Sequence, residues 1–226
     1  MRDFKVFGRD VLNIFCDASI KKTDLGTYGC PGSIAVDTTG SSVDYKSTIL
    51  VDSTNNESEI YAILLATQQA ILYKDAFPRI NIFSDSRISV CGMRDWMLNW
   101  IRRAKGDTLM STSGLVANQQ IFLHVLNLIM NNLESYRLYH IDGHMNENNP
   151  SHIMTVMKDF EKFNGIKIGP IEAAYLCKYN NLIDKETGDE LELADLDSLK
   201  RLKQPFIYPI PSLIDANKLY KDVFDN

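Results

Sequence analysis

Apolar positions in the first fifty residues fall in short runs, and after Asn56 they recur every three or four residues. Val11 to Cys16 reads as a buried strand, followed by a turn cluster at Gly26 to Gly32 (GTYGCPG) and a second strand, Ser33 to Asp37. Thr38, Thr39 and Gly40 form a hairpin turn into a third strand near Val43 to Val51. Ile60, Ile63, Leu64, Thr67 and Ile71 then mark a helix, with Asn56 placed to cap it and Glu59 three positions on, as in a capping box. Ile80 to Phe83 is the next strand. A helix from about Ser86 to Arg103 carries Trp96 and Trp100 one turn apart, and a small polar loop (GDTLMSTSG) leads to a helix at roughly Ala117 to Asn131. Tyr136 to Ile141 is a fifth strand.

The order βββαβααβ implies an α/β fold with a mixed sheet, because strands separated by helices pair through crossovers. Sites in such open sheets form outside the carboxyl ends of the parallel strands, where Asp17 and Asp85 fall. Beyond the fifth strand come His144, an amphipathic segment from Ile153 to Phe163, and a helix beginning near Pro170, a residue suited to a first helical position. That helix carries Asn180, Asn181 and Asp184. In the tail from Glu190, the prolines of FIYPIP (Phe206 to Pro211) exclude helix and favour an extended edge segment. Its apolar residues, Phe206, Ile207, Tyr208 and Ile210, are expected to cover the domain's own edge.

At 226 residues, 45% hydrophobic and 23% charged, the chain suits one well-buried domain with additions. Its 24 Lys+Arg against 29 Asp+Glu give a formal net charge of -5, so nucleic-acid binding would have to rest on a local patch. Cys16, Cys30, Cys91 and Cys177 form no C-x-x-C pair, which argues against a zinc site and a disulfide framework. The N-terminal residues do not read as a signal peptide, and no apolar run approaches the ~20 residues of a membrane span. The cytoplasm is the expected compartment.

Asp17 follows the apolar run NIFC, Asp85 follows INIFS, and Glu59 lies near the start of the helix between them. Two ionised carboxylates ~4 Å apart repel by roughly 4 kcal/mol at an effective dielectric of about 20, so a convergent trio needs a cation or basic partners. Oxygen ligation without His or Cys favours Mg²⁺ or Mn²⁺ over zinc. Singly, Glu59 is explained as a capping-box acid, Asp85 as an N-cap, Asp184 as part of a solvated helix face and the tryptophans as core packing. Asp17, following Leu12, Ile14 and Phe15, has no evident capping role.

Taken together, FCDAS (Phe15 to Ser19), STNNESEIYA (Ser53 to Ala62), FSDSRISVCG (Phe83 to Gly92), WMLNW (Trp96 to Trp100), DGH (Asp142 to His144) and NNLID (Asn180 to Asp184) resemble type 1 ribonuclease H, of the RNase H-like superfamily. The resemblance covers about residues 11 to 188. It implies a single RNase H-like domain with a five-stranded mixed sheet flanked by helices. The core would be about 11–144 and 170–188, with an inserted helix in about 145–169 and a C-terminal extension at 190–226. The family's four metal-binding carboxylates carry over onto Asp17, Glu59, Asp85 and Asp184, and its active-site histidine onto His144. Contacts to the hybrid carry over onto Thr54, Asn55, Asn56 and Arg87. The helix and short basic handle that hold the DNA strand correspond to Trp96, Trp100, Arg102, Arg103 and Lys105.

Three features depart from the family's pattern. Ala18 stands where glycine is more common, Arg87 where glutamine is usual, and the segment between His144 and Asp184 is longer than the usual ten or so residues. Asp142, Glu147 and Asp159 are rival fourth carboxylates without an asparagine-rich run before them. The resemblance implies a monomeric endonuclease that hydrolyses the RNA strand of an RNA/DNA hybrid with two Mg²⁺ ions, Mn²⁺ substituting, and leaves a 3′-hydroxyl and a 5′-phosphate. Two alternatives are a DNA nuclease of the same fold and a catalytically silent module whose insertion and tail dock a partner.

Overall fold

In the computed structural model, which describes residues 4–199 and 207–224, strand β1 (Val11–Thr23) runs through the middle of a mixed sheet. β2 (Gly26–Asp37) and β3 (Ser42–Ser47) follow by antiparallel pairing, and the two-residue β4 (Leu50–Val51) also pairs with β2. Helix α1 (Asn55–Tyr73) crosses to β5 (Arg79–Ser84), which pairs parallel to β1. Next come α2 (Arg87–Cys91), a π-type turn (Gly92–Trp96), α3 (Met97–Arg103), a small hairpin of β6 (Met110–Ser111) and β7 (Gly114–Leu115), and α4 (Gln119–Asn132). β8 (Arg137–His140) pairs parallel to β5 and completes the five-strand order β3-β2-β1-β5-β8. Helices α5 (Pro150–Asn164), α6 (Pro170–Leu193) and α7 (Leu213–Leu219) complete the fold.

Alternation along β1 explains why both faces are covered. Successive side chains point to opposite faces of a strand, so Leu12, Ile14 and Cys16 join one core with α1, α3 and α4, while Phe15 joins a second with α5 and α6. Helix α5 is therefore half of a hydrophobic layer: Ile153, Val156 and Phe160 are buried beside Leu176 and Ile183 of α6.

Several local expectations are corrected. GTYGCPG is strand, not turn: Gly26 to Gly32 pair with β1, and the glycines admit close neighbours. A Cβ on Gly29 would meet the Ser58 hydroxyl of α1, and one on Gly32 would meet Thr187 of α6. The N-cap of α1 is Thr54, whose Oγ1 accepts from Glu57 N at 3.2 Å, so Asn56 and Glu59 form no capping box. The long third strand is split into β3 and β4, and the single helix expected to Arg103 is interrupted by the π-type turn at Trp96. Residues 207–211 form no strand, and Phe206 lies outside the described residues. Tyr208 and Ile210 are half-buried against the core, whereas Ile207 is 84% exposed. Helix α6 runs past the expected boundary at Glu190, and Ala216, Leu219, Tyr220, Val223 and Phe224 of the extension are buried in the same core as α3 and α4. No helix among the described residues is long and apolar enough to cross a membrane.

Candidate active site

Asp17 is not at the end of β1 but at the point where its parallel pairing stops. Cys16 is the last residue of β1 matched to β5, opposite Ser84, while the antiparallel pairing with β2 continues through Asp17 opposite Gly32. Asp85 is the first residue after β5, and Glu59 projects from the second turn of α1. One carboxylate oxygen from each of Asp17, Glu59 and Asp85 lies within 4.8 Å of the others.

Burial and mutual repulsion act together on this trio. Burial, then the charge of Asp85, pushes the Asp17 carboxyl from 3.8 up to about 8, against a hydrogen bond from Ala18 N to Asp17 Oδ1 (2.7 Å). Burial and then Asp17 raise Glu59 from 4.5 to about 9. Asp85 is raised by burial, with Asn180 opposing the shift by donating from Nδ2 to Asp85 Oδ2 at 3.4 Å. Glu59 Oε2 is buried with no hydrogen-bond partner among the described residues. An all-oxygen set with an orphaned buried oxygen and carboxyls held out of their charged forms fits a hard divalent cation. Asp17, Glu59 and Asp85 would hold it.

The trio opens into a cleft of about 500 Å³ that Asn55, His144 and Asp184 also line. Asp184 Oδ2 is 3.4 Å from His144 Nδ1, and both side chains are substantially exposed at the rim. His144 has φ +57°, a left-handed conformation that a non-glycine residue seldom adopts. The rival carboxylates lie elsewhere. Burial and then Asp159 raise Asp142 to about 6, Glu147 accepts from Asn181 Nδ2 at 3.4 Å, and Asp142, Glu147 and Asp159 are absent from the cleft lining.

A second groove, of about 560 Å³, adjoins the N-terminal end of α1 and is lined by Asn56, Trp96, Trp100, Arg103 and the β6–β7 hairpin. Trp96 is 41% exposed, whereas Trp100 is 8% exposed and packs on Phe122 with ring centroids 5.3 Å apart. Thus Trp96 offers a ring face to a ligand and Trp100 forms the floor. Arg102 is outside the groove lining: its guanidinium bonds Asn99 Oδ1 and, from α7, Asn217 Oδ1 (3.2 Å). Arg87 lines neither opening, and its Cζ is 4.5 Å from the centroid of the Phe163 ring.

Two supporting residues sit inside recognised strings without having been singled out for a role. Asn180 is 1% exposed and aimed at Asp85; its signal was the asparagine run before Asp184. Gly143, the middle of DGH, lies against Asp85, where any Cβ would run into Asp85 Oδ2.

Fold and site together define an α/β protein with an acidic centre suited to a cation at the carboxyl edge of its parallel strands and an aromatic groove beside it. The RNase H family model matches residues 9–152, and the chain belongs to that family. No curated protein matches it significantly in sequence. Among solved structures it is similar to the foamy viral protease-reverse transcriptase in complex with an RNA/DNA hybrid, at 12% identity over 78% of this chain and 22% of that one, with a TM-score of 0.50. It is also similar to the PFV RNase H domain (14% identity, 74% of this chain, 95% of that one, TM-score 0.49). LC11-RNase H1, isolated from compost, gives 16% identity over 68% of this chain and 97% of that one, with a TM-score of 0.44.

Proposed function

We propose that the chain is a metal-dependent endonuclease that hydrolyses the RNA strand of RNA/DNA hybrids. The observation that carries this reading is the buried Asp17, Glu59 and Asp85 trio opening into a cleft that Asp184 and His144 complete. Mg²⁺ or Mn²⁺ held there, as a pair, would supply Lewis-acid chemistry for activating a water and stabilising the leaving oxygen. Asp17, Glu59, Asp85 and Asp184 would hold the ions, with the Ala18 amide fixing one Asp17 oxygen and the Asn180 amide steadying Asp85. His144, exposed and 3.4 Å from Asp184, is placed to carry a proton at the mouth of the cleft. The products would be a 3′-hydroxyl and a 5′-phosphate.

Substrate choice divides between the two openings. Thr54 and Asn55, exposed at the start of α1 beside the carboxylates, offer hydroxyl and amide groups to a 2′-hydroxyl, which distinguishes RNA from DNA. Asn56, Trp96 and Arg103 in the neighbouring groove would take the DNA strand, the ring by stacking against sugar or base and the guanidinium by phosphate contact. Labelled hybrid, duplex DNA and duplex RNA, each incubated with Mg²⁺ or Mn²⁺, test this directly. Cleavage confined to the RNA of the hybrid and abolished by Asp85→Asn is expected. An intact hybrid with both metals, or full activity of Asp85→Asn, would sink the proposal, and cleavage of duplex DNA would replace it with a DNA nuclease.

A further inference from the structure

We propose that the C-terminal end of α5 supplies a second phosphate-binding point for the nucleic acid, in which Lys162 and Phe163 act with Arg87 on the β8 side of the carboxylate cleft. The inference rests on the nuclease reading for its substrate, but its geometry is separate. Lys162 and Phe163 lie beyond residues 9–152, which match the family.

The end of α5 is held firmly to the sheet. Asn164 Oδ1 accepts from His140 N (3.1 Å) and Asn164 Nδ2 donates to His140 O (2.8 Å). Arg94 adds bonds to Asn164 Oδ1 (2.9 Å) and Phe163 O (3.0 Å), and Gly165, at φ +68°, ends the helix there. Phe163 packs edge-on against His140, ring centroids 4.9 Å apart, and His140 Nε2 lies 3.1 Å from the Asp85 main-chain oxygen. A short run of contacts therefore fixes the α5 end relative to a catalytic carboxylate.

Two cations converge on this ring. Arg87 Cζ is 4.5 Å and Lys162 Nζ 5.2 Å from the Phe163 centroid, and both side chains are exposed. Neither forms an ion pair among the described residues. Asp142, with Asp159 beside it, senses the Lys162 charge without forming an ion pair to it. A nucleic-acid backbone reaching this face meets a guanidinium and an ammonium already positioned by one ring. A backbone phosphate is a better fit than a base, because cations already occupy positions over the ring.

Steady-state cleavage of a labelled hybrid at several salt concentrations tests the proposal. Lys162→Ala is expected to raise KM about three- to tenfold, more than it lowers kcat, and to reduce the slope of log(kcat/KM) against log[salt] by about 1. Lys162→Arg should restore both, and Lys158→Ala, which removes an equal charge from an exposed position of the same helix, should have a smaller effect on each. Unchanged KM and slope in Lys162→Ala, or equal effects from Lys158→Ala, would overturn the proposal. Fluorescence anisotropy with the same hybrid in EDTA separates this inference from the nuclease reading. Weakened, less salt-sensitive binding by Lys162→Ala supports the phosphate point even if the wild type cuts nothing, and unaltered binding removes it even if the wild type is active.

Discussion

The Tyr220 hydroxyl donates to the main-chain oxygen of Met93, joining the C-terminal extension to the π-type turn that ends at Trp96. Such a turn shifts the helical hydrogen-bond ladder by a residue and opens a carbonyl to an outside donor. Met93 and Tyr220 are both buried, so water cannot replace the bond. Tyr220→Phe keeps the ring's stacking on Phe224, 4.4 Å away between centroids, but removes the hydroxyl donor to the Met93 carbonyl. A loss of about 1–3 kcal/mol is expected, measured as a lower urea midpoint with an unchanged slope.

Gly143 sets the position of Asp85 by having no side chain. Gly143→Ala would drive a methyl group into Asp85 Oδ2 and turn the carboxylate away from Asp17 and Glu59. Hybrid cleavage should fall at least about tenfold, since small misplacements of a catalytic group are costly, while the far-ultraviolet circular dichroism spectrum stays that of the wild type.

Without metal, the carboxylate trio should make the protein less stable as pH rises. The folded state keeps protons on Glu59 up to about 9 and on Asp17 up to about 8, well above their ordinary values of 4.5 and 3.8. Between those limits the folded state binds more protons than the unfolded one, so the trio's contribution to stability is fully present below about pH 4 and is lost as pH rises toward about 9. Urea titrations in EDTA should show a lower midpoint at pH 8 than at pH 5, and Glu59→Gln should shrink that difference.

Divalent cations should reverse this penalty. Millimolar Mg²⁺ or Mn²⁺ at pH 8 is expected to raise the melting temperature of the wild type by several degrees, as a ligand of the folded state does. Asp17→Asn should melt higher than the wild type in EDTA, because it removes one of the repelling charges, and should gain little from either metal. Equal metal-induced shifts in both proteins would place the binding elsewhere.

The carboxylate trio was legible because each acid interrupts a pattern. Asp17 and Asp85 follow buried apolar runs, and Glu59 sits among helical core positions with no capping duty once Thr54 is seen to cap α1. Gly29, Pro31 and Gly32 of β2 have the composition of a turn, whereas the two glycines are small to admit Ser58 and Thr187. The π-type turn leaves no mark in a spacing of three and four residues. Ala216, Leu219, Tyr220, Val223 and Phe224 keep helical spacing, although prolines stand just before them. The partners of Arg87 and Arg102 depend on contacts with α5 and α7 that no local pattern encodes.

The Asn164 amide that fastens α5 also changes what the sheet can do at its margin. β8 is the last strand on that side, and an exposed last strand offers free amides and carbonyls to any passing chain. Here both main-chain groups of His140 are taken by Asn164, and Arg94 reaches the Leu138 carbonyl at 3.5 Å. A stray strand arriving at this margin finds the His140 pairing groups already taken, so the end of α5 blocks edge-to-edge pairing there.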